Sequence, residues 1–236
     1  MWRVDHRRAS PYYFLSSGKM SRDGRAVMRE KFWTYFELRD ACYRPGCPVC
    51  RLLEQRVHSY LDSLFYESVN DPSVRQRLRG ALGFCRNHAL RALGLGDSLG
   101  VAIIYEDLLQ LVARQLDEGR MPRPLVACPA CSLHRVSEEG YVRTLVEYLD
   151  DDEFQGAFKS SDGACLPHLH RLSLQLQKKA LPEWLITVER QKLQKRRTQL
   201  TEFLRKQDVQ AKNEQISEGE ATACEDAIDY LVGTTD

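Results

Sequence analysis

No stretch of this 236-residue chain is apolar for long enough to cross a bilayer. The longest runs resemble Val101 to Tyr105, whereas a spanning helix needs roughly 20 apolar residues. A secretory leader is equally absent from the pattern: Arg3, His6, Arg7 and Arg8 are followed by an apolar patch from Tyr12 to Leu15 only, far short of a signal-peptide core. The expected setting is therefore a reducing cytoplasm, with thiols free or metal-bound. Charge of one sign is also missing, since 34 basic residues face 33 acidic ones for a net charge of +1. No whole-protein field draws the chain to nucleic acid or an anionic membrane. The sequence holds no G-x-S-x-G elbow, phosphate-binding loop, HExxH or dinucleotide fingerprint, which removes the motif-bearing enzyme classes.

What the chain does have is one pattern written twice. Cys47-Pro48-Val49-Cys50 is followed by Cys85-x-x-His88, and Cys128-Pro129-Ala130-Cys131 by Cys165-x-x-His168. The cysteines recur after 81, 81 and 80 positions and the histidine after 80. Six of eight cysteines and two of six histidines are thereby used. Zinc prefers four tetrahedral thiolate and imidazole ligands, commonly delivered as two closely spaced pairs. If each pair opens a helix, residues three apart share a face and converge. Thiolate charge is also favoured at the positive end of a helix. Pro48 and Pro129 suit a first helical turn, where no intrahelical N–H bond is lost.

The spacing thus predicts two Cys3His sites, one per repeat: Cys47, Cys50, Cys85 and His88 in the first, Cys128, Cys131, Cys165 and His168 in the second. Two zinc ions per chain are expected. Iron–sulfur clusters are the chemical alternative, thioredoxin-like redox pairs lack the preceding strand they require, and unliganded core cysteines are the bland reading that duplication argues against. His134, three residues after Cys131, competes for the second ion only if His168 does not already fill the fourth place, His170 points away from His168 on a helix, and His58, Cys42 and Cys224 have no counterpart in the other repeat; all five are assigned to packing or surface.

Hydrophobic periodicity is helical throughout, with 43% hydrophobic and 28% charged residues. Leu53, Val57, Tyr60, Leu61, Leu64 and Phe65 make one stripe, and Tyr141, Val142, Leu145, Val146 and Leu149 make its counterpart. Val101, Ile104, Tyr105, Leu108, Leu109, Val112 and Leu116 predict an amphipathic helix with all seven on one side. No segment alternates long enough for a half-buried strand. The expected fold is all-α: an N-terminal extension at 1–28, expected to be disordered, helical metal-binding repeats at 29–120 and 121–208, and a segment at 209–236 with a short closing helix.

The repeats differ at their ends. Between Glu189 and Lys206 seven basic residues accompany two acidic ones, a composition that admits nucleic acid. A peripheral helix with a narrow apolar seam has the same appearance, and residues 137–153 carry seven acidic residues against one basic as a counterweight.

The segments YFELRDACYRPGCPVCRLLE, GFCRNHA, CPAC, GACLPH and EGEATACEDAIDYLVG resemble an uncharacterised bacterial domain-of-unknown-function family. Its members share the duplicated CPxC and CxxH motifs and a closing segment ending in Leu-Val-Gly. The likeness runs over about residues 35–233. It implies a bacterial protein with the same four ligands per repeat, and no known activity. A full ligand set leaves zinc no open position for substrate. The expectation is therefore a non-enzymatic zinc-binding scaffold or protein-interaction module whose partner is another protein. A thiol or iron–sulfur redox sensor and a nucleic-acid regulator using helix 189–206 are the alternatives.

Overall fold

The computed structural model describes residues 31–176, 180–208, 211 and 214–234; the extension at 1–28 lies outside them. Every regular element among the described residues is a helix, as the periodicity predicts. Helix α1 (Trp33–Ala41) leads to α2 (Pro48–Glu67), α3 (Pro72–Ala81), α4 (Arg86–Gly94) and α5 (Ser98–Asp117). Then come α6 (Pro129–Glu147), α7 (Asp152–Ser160), α8 (Leu166–Gln175) and α9 (Glu183–Lys206), and the chain closes with α10 (Glu218–Ala221) and α11 (Ala223–Val232). None of these helices is long and apolar enough to cross a membrane. A CPxC opens α2 and again α6, and a CxxH opens α4 and again α8.

Helix starts are chemically marked. Asp71 caps α3 by accepting from the backbone N–H groups of Ser73 and Val74, and Asp151 caps α7 by accepting from Phe154 N–H. In α7, Phe154, Ala157 and Phe158 are too few to register as a stripe in the sequence, yet all three are buried.

The repeats are not separate packing units. Val49, Leu52 and Leu53 from the start of α2 share one core with Tyr141, Val142, Leu145, Tyr148 and Leu149 from the end of α6. Val57, Leu61, Leu64 and Phe65 from the rest of α2 share a second core with Ala130 at the start of α6. The two helices therefore run antiparallel, each passing through both cores. Arg56 of α2 donates to the Tyr141 hydroxyl at 3.0 Å and pairs with Glu37 of α1. Helix α1 lies within the expected first repeat but packs into the core built mainly by the second: Tyr35 is fully buried and its hydroxyl donates to Asp151 at 2.9 Å.

Helix α5 departs from its expected stripe. Ile104 and Leu108 are buried, but Leu109 is 68% and Leu116 53% exposed. The packed face is narrower than seven apolar residues suggested, and it includes buried Asp107, held by Arg79 of α3 through Nε at 2.8 Å.

Basic helix α9 spends much of its charge inside the molecule. Lys192 donates to the carbonyls of Lys159 and Ser161 at the end of α7, where a cation complements the helix dipole. Arg196 donates to the Asp162 carbonyl at 2.6 Å and lies over the Tyr230 ring. Arg205 and Lys206 pair with Glu214 and Glu220. Four of the seven basic residues are thus committed to intrachain contacts. Beside them, buried Glu189 accepts from Ala164 N–H at 2.9 Å, fixing the loop that enters α8.

Gly163 in that loop has φ +84, and a Cβ there would lie 2.8 Å from both Glu189 carboxylate oxygens. Gly163→Ala should therefore destabilise the chain by about 1–3 kcal/mol, from backbone strain and the displaced carboxylate. Urea unfolding measures this directly; a loss below about 0.5 kcal/mol would show that the loop is not held as described.

Candidate metal centre

The eight predicted ligands do come together in two groups of four, but not in the expected combinations. Cys47 and Cys50 meet Cys165 and His168, while Cys128 and Cys131 meet Cys85 and His88, with the ligand atoms of each group all within 4.8 Å of one another. Each cluster takes its CPxC from one repeat and its CxxH from the other. The within-repeat pairing is thereby corrected. Its physical reason is the antiparallel packing of α2 on α6, which sets each CPxC beside the other repeat's CxxH helix.

Local structure explains how four short motifs deliver eight ligands. Cys47, Cys85, Cys128 and Cys165 are the N-cap residues of α2, α4, α6 and α8. The second ligand of each motif is three residues on, at the third helical position. Cap and third position face one another across the first turn, which is the geometry that capping boxes use. The helix start also turns unpaired N–H groups and the positive end of the dipole toward the sulfurs.

The first cluster is the tighter. His168 Nδ1 lies 3.0 Å from Cys165 Sγ, 3.4 Å from Cys50 Sγ and 3.5 Å from Cys47 Sγ, and Cys50 and Cys165 sulfurs are 3.6 Å apart. In the second, His88 Nδ1 lies 3.0 Å from Cys85 Sγ, 3.4 Å from Cys131 Sγ and 3.7 Å from Cys128 Sγ, and Cys131 and Cys85 sulfurs are 3.6 Å apart. A zinc tetrahedron with bonds of about 2.3 Å to sulfur and about 2.05 Å to nitrogen has S···S edges of about 3.8 Å and S···N edges of about 3.6 Å. The edges between motifs, at 3.4–3.7 Å, fit those figures, the Cys–His edge within each CxxH is shorter at 3.0 Å, and all eight cysteines are free thiols rather than disulfides.

Matching cross-links support both clusters. Gly46 N–H, just before Cys47, donates to Asp162 Oδ2 at 2.8 Å, just before Cys165. At the other end Leu125 N–H, just before Cys128, donates to the Gly80 carbonyl at 2.8 Å, just before Cys85. Around the first cluster His168 Nε2 faces Glu138 Oε1 at 3.3 Å, and Arg171 Nε donates to the same oxygen at 2.6 Å. A carboxylate there fixes the Nε2–H tautomer and leaves the Nδ1 lone pair for an ion. Gly233 then closes this cluster from the chain's end: a Cβ on it would sit 3.5 Å from both Cys50 Sγ and Cys165 Sγ. Cys50, Cys165 and His168 are buried, whereas Cys85, Cys128 and Cys131 of the second cluster are half-buried.

The titration of these groups shows what the clusters need. Burial pushes the Cys47 thiol well above its ordinary range, and Cys165 and Cys50 add to the rise. Cys131 is pushed up to about 12, first by burial and then by Cys85 and Cys128. His168 rises to about 11, burial opposing the charge and contacts with Cys165, Cys50 and Glu138 outweighing it. Three sulfurs in one pocket cannot all ionise against each other, and a divalent cation removes that conflict.

Glu138 and Gly233 were not recognised from sequence as site residues. Glu138 stands seven residues after Cys131, on the same face of α6, yet it serves the histidine of the other cluster; Gly233 carried no chemical signal. His134 lies outside both groups and lines a cavity of about 260 Å³ with His88, Cys131, Glu138 and His168. His170, His58 and Cys224 are exposed. Cys42 is packed in the core, its thiol raised to about 12 by burial.

Crossed pairing has a direct test in metal stoichiometry. Replacing Cys50 and Cys165 together by serine should remove one ion's worth of binding, as either single change does, while replacing Cys50 and Cys85 should remove both. Equal loss of two ions from the first pair would restore the within-repeat arrangement. Glu138→Gln should weaken metal binding about 10–100-fold at one site and spare the other, as read by competition with a chromophoric chelator.

With this geometry established, comparison with known proteins places the chain beside proteins without an assigned activity. Residues 28–125 match a family of unknown function, DUF6062, so the expected likeness to such a family holds over that stretch. The chain is also 28% identical over 194 residues to an uncharacterized 23.9 kDa protein in the xynA 3'region of Caldicellulosiruptor sp. (strain Rt8B.4), across 80% of this chain and 95% of that protein. No solved structure matches.

Proposed function

We propose that each cluster holds one zinc ion, two per chain, and that the protein is a non-enzymatic helical scaffold that binds another protein. The observation that supports this reading is the gathering of three sulfurs and one nitrogen in each cluster, with separations between motifs of 3.4–3.7 Å, close to those of a zinc tetrahedron. The residues that would hold the ions are Cys47, Cys50, Cys165 and His168, and Cys85, His88, Cys128 and Cys131. Bound zinc supplies structural cross-linking, on the order of 10 kcal/mol for small modules. With four protein ligands no coordination position is left for substrate, and three thiolates leave each centre net anionic, which weakens Lewis acidity. Both arguments favour a scaffold over an enzyme.

A protein partner is favoured over nucleic acid because Lys192, Arg196, Arg205 and Lys206 of the basic helix are committed to carbonyls and carboxylates of the same chain. A thiol redox sensor is the second reading, supported by the half-buried cysteines of the second cluster. It would reveal itself by reversible oxidation with release of one ion.

Elemental analysis of protein purified without oxygen should find two zinc ions per chain. Fewer than one, or a brown iron chromophore, defeats the zinc assignment. Because each ion joins both repeats, chelation should unfold the whole chain in one transition rather than one repeat before the other, as followed by circular dichroism.

A further inference from the structure

The closing helix α11 is apolar on the wrong side for a helix that only needs to be packed. Its inner face is small: Ala223 and Gly233 are buried and Ala227 half-buried, with Tyr230 under Arg196. Its outer face carries Ile228 at 59% exposure, Leu231 at 58% and Val232 at 53%. Beside them stand exposed Glu225 and Asp229, with no basic residue anywhere in the helix. The result is a short apolar stripe with an acidic border.

A complementary stripe lies on α4. Leu90 is 53% and Leu93 55% exposed, in line with exposed Arg86 one turn earlier, and the helix contains Arg86 and Arg91 but no acidic residue. The fold does not ask for leucine at these places. Eighty positions later, α8 carries His170 and Ser173 instead. Apolar side chains that the duplicated element does without, set in water, mark a surface for binding.

We propose that the partner is a second copy of this chain, with the outer face of α11 on one copy docked against α4 of the other. The acidic border of one stripe meets the basic border of the other, which fixes orientation and speeds encounter. Each helix is only about 15 Å long, so a single contact falls short of the roughly 1,600 Å² of a standard interface. Because the two faces are different, two chains can make the contact twice around a twofold axis, which doubles the buried area and leaves neither face open. The arrangement would couple the centres of the two copies: α11 closes the Cys50–Cys165 cluster of its own chain, and α4 begins with Cys85 and carries His88 of the other cluster. The inference rests on the scaffold reading for its purpose and not for its surfaces, so a zinc-loaded monomer would defeat self-association and leave the scaffold standing.

The test is sedimentation of the full-length, metal-loaded chain from nanomolar to high micromolar concentration. A concentration-dependent dimer is expected. Leu90→Glu and Ile228→Glu should each raise its dissociation constant on the order of tenfold or more, with helix content and metal stoichiometry unchanged. Arg86→Glu should weaken the dimer and Glu225→Arg, added to it, should restore association. A bis-maleimide should also join Cys224, which is exposed on α11, to a Leu90→Cys variant of the other copy. A monomer at every concentration, a dimer indifferent to both glutamate variants, or a charge reversal without rescue would each overturn the proposal, the first of them pointing to a different protein as occupant.

Discussion

A tetrahedral ion takes four ligands, and one helix start in this chain supplies two. Each centre must therefore gather two helix starts, and the choice of which two governs the rest of the architecture. Because Cys47 and Cys50 are matched with Cys165 and His168, and Cys128 and Cys131 with Cys85 and His88, each cluster of the finished fold draws on both halves of the chain. The cores follow the same rule. The start of α2 packs with the end of α6 and the end of α2 with the start of α6, so hydrophobic burial and ligand geometry demand the same exchange.

Polar contacts then hold the ligand-bearing loops rather than the helices. The Gly46 to Asp162 hydrogen bond joins the approaches to the two motifs of the first centre, and the Leu125 to Gly80 bond does so for the second. Helix α9 adds Glu189 on Ala164 N–H and Arg196 on the Asp162 carbonyl. A charged helix that looks suited to an external polyanion is in large part a brace for the loop entering α8. Glu138 acts one layer further out, orienting His168 while Arg171 balances its charge.

Much of this was readable from residue types. The i, i+3 spacing of the ligands, the prolines after Cys47 and Cys128 and the helical stripes identify the helix starts and the eight ligands, because those depend on local geometry. The pairing was not readable. Two equivalent CPxC pairs and two equivalent CxxH pairs permit two matchings, and the 80 and 81-residue spacings are silent between them; only the antiparallel packing of α2 and α6 decides. The breadth of the α5 stripe was overestimated for a related reason. Apolar periodicity reports which residues share a face, and it does not report whether anything in the same chain covers that face, as exposed Leu109 and Leu116 illustrate.

Crossed ligation also sets an order in time. During synthesis Cys50 is in reach of Cys85, 35 residues away, long before Cys165 exists, so the nascent chain can assemble a first-repeat tetrahedron that the finished fold does not contain. The Cys85–Cys131 centre joins residues 46 apart and the Cys50–Cys165 centre residues 115 apart, a difference of about 0.8 kcal/mol in loop closure alone. The longer closure is the later of the two, and Gly233, which follows Cys165 in the sequence, settles over it after that. Gly233 and the turn that carries it thus act as a seal set over the exchange of partners once it has taken place.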